Sequence, residues 1–388
     1  MKRRNFIKIM VTGSGVILVP SILNGCSENN LTALEGWHGP AKNEKDIRIL
    51  VLSYAILAPN PHNKQPWIIE LKDPSRFDLY VDQERLLPET DPPYRQIHIG
   101  QGTFLENLAL AARHFGYRAD FEYFPQGMYS NSVLEHKPVA SINLVKDSGV
   151  RRDPLFDYIL ERQSNKRNYE NKPLSRKQLK TIKEVVDPDD TEYALMITTD
   201  PAQRKKLAEV LTEAMRIETS DKNRDRETIA MFRFNDDEVE KHRDGFGLAQ
   251  VGKTGVFKFL AETFFISRKS ALAEDSSFGE ESVKITKEQS ESAAAFGWLT
   301  TKTNTRLDQV KIGRIYERIN LRVTELGIAM HPMSQVLQEY SDMTLLQKEF
   351  EKYLEIPEGH TVQMLFRLGH ATPAVHSPRR KIGDLFRG

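Results

Sequence analysis

The sequence predicts an α+β fold in which helix, strands, long helix and strand follow one another in a similar order twice. Three observations predict it. "GTFLENLALAARHFGY" carries Phe104, Leu108, Ala111, Ala112 and Phe115 at helical spacing and stops at Gly116. "DQVKIGRIYERINLRVTELG" repeats the pattern with Ile312, Ile315, Tyr316, Ile319, Val323 and Leu326, and stops at Gly327. Short apolar runs that read as strands accompany each helix. The halves share this order of elements without a close sequence repeat.

The chain opens with "MKRRNFIKIMVTGSGVILVPSILNGC". A basic start precedes an apolar stretch, Ile9 to Leu23, too short and too interrupted for a comfortable membrane span. Arg3, Arg4, Phe6 and Lys8 resemble a twin-arginine export signal. "LNGC", Leu23 to Cys26, resembles a bacterial lipobox, with Asn24 a less usual residue inside it. Residues 1–25 are therefore expected to be an export signal and Cys26 a lipidated anchor. The result would be a membrane-anchored lipoprotein on the periplasmic or cell-surface side. An uncleaved N-terminal anchor is the alternative. Cys26 is the only cysteine, which excludes intrachain disulfides and multi-cysteine metal sites. The twin-arginine route, which moves folded proteins, points to a tightly held cofactor loaded before export.

Residues 26–43 read as a polar, loosely ordered tether. The first unit spans 44–150. "KDIRILVLSYAILAP" is a helix ended by Pro59, and "PWIIEL" and "FDLYVD" are paired strands around the turn "KDPSR". The long helix follows, then the strands "ADFEYFP" and "PVASINLV". The second unit spans 151–388. "DPLFDYILERQSNKRNY" reads as a helix running into a basic turn, and "SRKQLKTIKEVV" as a helix opened by Ser175. "YALMITT" is a strand, and "PAQRKKLAEVLTEAMRIE" a helix with Pro201 in its first turn. A charged, helical segment of about 219–305 precedes the second long helix, and "HTVQMLFRLG" is a late strand.

The 388 residues carry a formal net charge of +1, with 28% charged residues, so no electrostatic footprint for nucleic acid exists. The ten histidines show no H-E-x-x-H pair and no short ligand spacing, so no metal site is expected. "GLAQVGKT", Gly247 to Thr254, matches the phosphate-loop pattern letter for letter. Such a loop needs a buried apolar strand before it, and "NDDEVEKHRDGF" is charged at almost every position. A glycine-rich bend between surface helices is the preferred reading over an NTPase.

Two stretches carry chemistry. "APNPHNKQPW", Ala58 to Trp67, holds Asn60, His62, Asn63 and Gln65 between stiffening prolines. Mixed amide donors and acceptors suit a planar heterocycle; a rigid loop capping a helix is the equal alternative. "ERQSNKRNY", Glu161 to Tyr169, gathers Arg162, Lys166 and Arg167 around Ser164. It reads as a phosphate cradle or as a solvated basic face.

Together these stretches resemble the nitroreductase-like flavoproteins. Arg162, Ser164 and Lys166 fit that family's R-x-S-x-[KR] turn. Pro59, Asn63, Gln65, Pro66 and Trp67 fit its P-[ST]-x-x-N-x-Q-P-W segment, with Asn60 where Ser is usual. "GIAMHPMSQ", Gly327 to Gln335, and "FRLGHATP" with "SPRR" resemble its late segments. The order departs from the family, because here the Asn loop precedes the basic turn. That order resembles tandem members, in which two related units fuse into one chain as a pseudo-dimer with one complete flavin site.

The resemblance implies an FMN cofactor. Arg162, Ser164 and Lys166 would hold its phosphate and ribityl chain, with Arg379 and Arg380 beside the phosphate. Pro59, Asn60 and Asn63 would meet the ring edge from the other unit, and Pro332, Met333 and Ser334 would lie near the redox-active ring nitrogen. Such contacts tune a flavin that does the chemistry itself, so no catalytic acid or base is assigned. The 219–305 segment is expected to form a helical lid over the site. The implied activity is FMN-dependent reduction of an electron-poor small molecule, nitroaromatic or quinone-like, by NAD(P)H. The expected state is a monomer. A flavin-storage protein with little turnover is the rival, because nicotinamide donors are scarce outside the cytoplasm.

Overall fold

Helix α1 (Ile47–Ala55) opens the first unit, capped by Asp46, whose carboxylate accepts from the Arg48 amide at 2.9 Å. Strands β1 (Trp67–Asp73) and β2 (Arg76–Val81) form a hairpin, closed where the Asp73 carboxylate accepts from the Ser75 and Arg76 amides, both at 2.9 Å. Helix α2 (Arg95–His114) and strands β3 (Tyr117–Tyr123) and β4 (Ala140–Lys146) complete it. The computed structural model describes residues 31–387 except 188, 256, 257, 259, 260 and 263–265. The export signal expected in residues 1–25 and the anchor Cys26 lie outside the described residues.

The second unit runs through α3 (Arg176–Lys183) and β5 (Tyr193–Thr198) into α4 (Pro201–Ser220). Next come α5 (Lys222–Met231), β6 (Phe232–Arg233), α6 (Asp236–His242) and β7 (Phe246–Gly247). They are followed by α7 (Arg268–Ala271), α8 (Phe278–Glu291), β8 (Ala295–Thr301) and α9 (Arg306–Glu325). Strand β9 (Ala329–Pro332), α10 (Thr344–Tyr353) and β10 (Thr361–Gly369) end it.

Each unit has a four-stranded antiparallel sheet. The first is ordered β1-β2-β4-β3 and the second β5-β8-β10-β9, so strands of equal rank occupy equal places. A 20-residue helix joins the second and third strands of each sheet. The difference is the first connection: a tight turn links β1 to β2, whereas residues 199–294 separate β5 from β8.

The two long helices cross against each other and exchange arginines. Arg95, first in α2, donates to the Gln363 carbonyl at 3.0 Å in the second unit. Arg306, first in α9, donates to the Asn131 carbonyl at 2.8 Å in the first. Both side chains are buried; Arg95 also donates to the Leu337 carbonyl and Arg306 to the Ser130 carbonyl at 3.2 Å, while Arg95 Nε has no hydrogen-bond partner among the described residues.

Four features differ from the sequence reading. Helix α2 starts earlier than its apolar spacing indicated, because the buried Asp91 carboxylate accepts from the Gln96 and Ile97 amides at 3.2 and 2.9 Å. It is buried from Arg95 to Ala112, since α9 covers the face that reads as polar. The expected helix before the basic turn is one 3-10 turn, Pro154–Tyr158; beyond it the backbone bonds to β9, with the Asn165 amide donating to the Met330 carbonyl at 2.9 Å. Ala295–Thr301, read as part of the charged helical segment, is β8, fully buried between β5 and β10.

The fourth difference concerns the tether. Thr32–His38 is a 3-10 helix with Ala33 and Trp37 buried. Arg243 donates to Thr32, and the Trp37 indole donates to the Ser377 carbonyl at 2.8 Å. Buried apolar anchors, not composition, decide the order of this segment.

Candidate functional site

Loop 59–67, the basic turn 162–166, the segment 332–334 and the C-terminal tail meet around one cavity of about 1930 Å³. Pro59, Asn60, Asn63, Arg162, Ser164, Lys166, Pro332, Met333, Ser334 and Arg379 all line it. Arg380 does not. Its guanidinium donates to the Gln65 and Trp67 carbonyls at 2.9 and 3.1 Å and to Asp82 at 3.2 Å, fastening the tail to the first sheet.

Loop 59–67 is held in an unusual backbone. His62, Asn63 and Gln65 all adopt positive φ, near 50°, which side-chain-bearing residues rarely do. The Asn60 carboxamide accepts from the Gln65 amide at 2.7 Å, and Thr103 donates to the Pro59 carbonyl at 2.6 Å. The Asn63 amide nitrogen donates to the Gly245 and Pro378 carbonyls, both at 3.0 Å, and its oxygen accepts from Arg379 at 2.9 Å. Asn63 thus ties the loop, the insert and the tail together, with its amide group fully used.

The basic turn is pinned to the second sheet. Ser164 bridges Met330, and Arg367 donates to the Arg167 carbonyl at 2.7 Å. Arg162 is 2% exposed and donates through Nη2 to the Leu57 carbonyl at 2.8 Å. Arg379, also 2% exposed, donates to the same carbonyl at 3.0 Å. The Trp37 ring lies 5.7 Å from the Arg162 guanidinium and 4.7 Å from that of Arg379, and stacks on His376 at 3.9 Å. Arg162 keeps Nε and Nη1, and Arg379 keeps Nε, without a hydrogen-bond partner among the described residues. Buried guanidinium edges in that state are acceptors' sites.

Burial shapes the charges. It lowers Arg162, with Glu317 opposing, and lowers Arg379 well below the usual range, helped by Arg162. Burial pulls Lys166 down to about 8; its ammonium sits 3.9 Å from the Phe246 ring centre. His62 is pushed to about 3 and His376 to about 4, by burial first and then by neighbouring cations. His331 falls well below its usual value for the same reasons. The cavity therefore gathers buried cationic side chains, whose charge burial disfavours, among neutral imidazoles, a setting for an anionic group and a polar heterocycle.

The insert lies against the Asn loop. The Gly245 amide donates to the Asn63 carbonyl at 3.3 Å, and Gln65 donates to the Arg243 carbonyl at 2.8 Å. Asp244 accepts from Arg85 of the first unit at 3.0 Å and from Arg233 at 3.1 Å. "GLAQVGKT" is part of this contact. Gly247 ends β7, which pairs with β6, and Arg167 donates to the Gly252 carbonyl at 3.3 Å. Gly252 has φ +84°, and a Cβ there would lie 2.7 Å from the Arg167 side chain. The stretch is a packed turn against the basic turn.

Trp37 and Tyr316 line the cavity and Glu317 lies 3.6 Å from Arg162, yet none was singled out as a site residue by the sequence reading. Trp37 sits in a segment of tether-like composition. Glu317 and Tyr316 lie on α9, where nothing in the helical pattern marks a residue as facing a cavity. No group of three or more metal-ligating side chains occurs among the described residues.

The nitroreductase family model matches residues 159–370. Two similar proteins carry NAD(P)H nitroreductase names. PigM of Serratia sp. is 22% identical over 74% of this chain and 79% of its own. The protein acg of Mycobacterium tuberculosis is 24% identical over 88% of this chain and 95% of its own. Among solved structures, the FMN-dependent nitroreductase NfnB of Mycobacterium smegmatis in complex with NADPH is 16% identical, covering 59% of this chain and 94% of that one with a TM-score of 0.35.

Proposed function

The chain belongs to the nitroreductase family, and from that premise we propose that it is an FMN-dependent oxidoreductase reducing a nitroaromatic or quinone-like small molecule with NAD(P)H. The carrying observation is the pair of buried arginines with unpartnered donors, Arg162 and Arg379, on the wall of a cavity shared by both units. These residues fit the phosphate of FMN: in-plane N–H groups, already desolvated and held by Leu57, await an anion. Ser164 and Lys166 extend the same wall, and Pro59 to Asn63 with Pro332 to Ser334 bound the space beyond.

FMN held here would supply the hydride-transfer chemistry. The chain's own residues bind, orient and exclude water. Arg162 and Arg379 fix the anionic end. Asn63 holds Arg379 in place through its carboxamide oxygen. Phe246, from the insert, covers the Lys166 ammonium and meets His62 edge-on, which shields this wall from solvent.

The matching strand orders and the reciprocal Arg95 and Arg306 contacts support the reading of two fused units acting as one pseudo-dimer, monomeric overall. The contact between Gly245 and Asn63 supports a lid role for the insert and favours flavin storage as the second reading. Export and lipid anchoring rest on residues 1–26.

The deciding experiment is an absorption spectrum of the chain lacking residues 1–26, followed by anaerobic NADH and NADPH. Bleaching of a bound flavin supports the oxidoreductase. A flavin that bleaches only with dithionite supports storage. No flavin, even after adding FMN, overturns both.

A further inference from the structure

Glu317 stands next to Arg162 without itself lining the cavity. It lies on α9, is 0% exposed, and has neither carboxylate oxygen hydrogen-bonded among the described residues. Its nearest cation is Arg162, whose Nε stands 3.6 Å from Oε1, beyond good hydrogen-bond reach. The other neighbours are Arg379 from the tail, Tyr316 on its own helix, Glu106 from α2, and Asn107 from α2, whose side-chain amide falls short of a good hydrogen bond yet favours the ionised carboxylate. The pair is loose on both sides.

Glu106 provides the internal contrast. It stands at the same place in α2 as Glu317 does in α9, eleven residues after the helix start. Its oxygens accept from Arg314 and Arg318, each at 2.8 Å, so its charge is fully compensated. Glu317 has no such clamp: Arg162 spends Nη2 on the Leu57 carbonyl and keeps its Nε 3.6 Å away.

We infer that Glu317 is a proton-exchanging counter-charge, taking up a proton when a phosphate-bearing ligand claims Arg162 and Arg379. The inference rests on the phosphate reading given above. A phosphate dianion that accepts from the free Arg162 and Arg379 edges leaves an ionised Glu317 beside a second anion in a dry site. Like charge and desolvation both disfavour that carboxylate. A proton from solvent resolves the conflict and makes the carboxyl neutral, with no electron transferred. Burial already pushes Glu317 up to about 8, with Arg162 opposing, so the exchange falls in an accessible pH range.

The test is calorimetric titration of the flavin-free protein with FMN at pH 8.5, in two buffers of different ionisation enthalpy. That pH lies above the second phosphate ionisation, near 6. The wild type is expected to take up roughly 0.5–0.8 proton more per FMN bound than E317Q. Lys166, pulled to about 8 in the same cavity, contributes to both proteins and cancels. Equal uptake in the two proteins overturns the inference while leaving the phosphate site intact. Failure of FMN to bind the wild type overturns both. Should E317Q not fold, Lys166→Met carries the test: its FMN affinity still falls as pH rises from 7.5 to 9.5, and a flat profile overturns the inference.

Discussion

Gly102 of α2 and Gly313 of α9 touch at the point where the two long helices cross. A Cβ on Gly102 would stand 1.9 Å from the Val310 carbonyl oxygen, and one on Gly313 would stand 2.1 Å from the Ile99 carbonyl oxygen. Each glycine lies seven residues after its helix start, so the contact is reciprocal. It lets the backbones approach and brings the first unit's loop to the second unit's basic turn. Gly102→Ala forces the helices apart. Overpacking of this kind costs about 1–3 kcal/mol or more, so the melting midpoint should fall by about 2–6 °C. An unchanged midpoint would show that the crossing has slack.

Arg162→Ala should weaken FMN binding by about 1.5–3 kcal/mol, on the order of 10–100-fold, because it removes charge-assisted donors from a desolvated site. Asn63→Ala should weaken it less, acting through the released Arg379. Fluorescence titration of FMN measures both. Wild-type affinity in Arg162→Ala would remove the phosphate assignment.

Trp37→Ala should weaken FMN binding by about 0.5–2 kcal/mol, since the indole covers the faces of both arginines and leaves their edges free. The check is the FMN dissociation rate in ultrafiltration, with Trp37→Phe partly restoring retention. Equal rates in all three proteins would make the docked segment irrelevant to the site.

Lys166 sets a pH dependence of stability. Its folded pKa, about 8, lies below the ordinary lysine value of 10.5. Between these values the unfolded chain binds more protons, so folding gains as pH rises. Below pH 8 the buried ammonium is a standing cost. Relative to Lys166→Met, the wild type should therefore gain about 1–3 kcal/mol between pH 7.5 and 10.5. Denaturant midpoints of both proteins across that range decide it; parallel profiles would mean the ammonium is well solvated.

Cys26→Ser should move the exported protein from the membrane fraction to the soluble fraction if Cys26 carries the anchor. Detergent-phase partitioning reads this directly. Persistence in the membrane would favour an uncleaved N-terminal anchor.

The helices with clear apolar spacing and capping residues were legible locally. Ser175 opens α3 with a capping box to Gln178, and Pro201 starts α4. Both depend on neighbours a few residues away. β8 was not legible, because "AAAFGWLTT" follows a charged helix and has no alternation; it is buried on both faces between two other strands. The N-terminal segment was misread for a related reason. Its polar composition conceals one tryptophan whose partners, Arg162, Arg379 and His376, lie far along the chain.

By itself the sequence determined the elements with local causes, the two chemical stretches, and the basic and amide groups they carry. Turn residues, caps and residue type are properties of short segments. Only the tertiary structure decided that the loop and the basic turn share a cavity, that Arg380 leaves it, and that Asn63 spends its amide on Gly245, Pro378 and Arg379. Those outcomes depend on which long helix crosses which, and on the glycines that allow the crossing. Burial likewise, not residue type, leaves Arg162 with free donors and Glu317 without a clamp. The desolvation that makes both groups reactive toward a ligand exists only once the two units close around them.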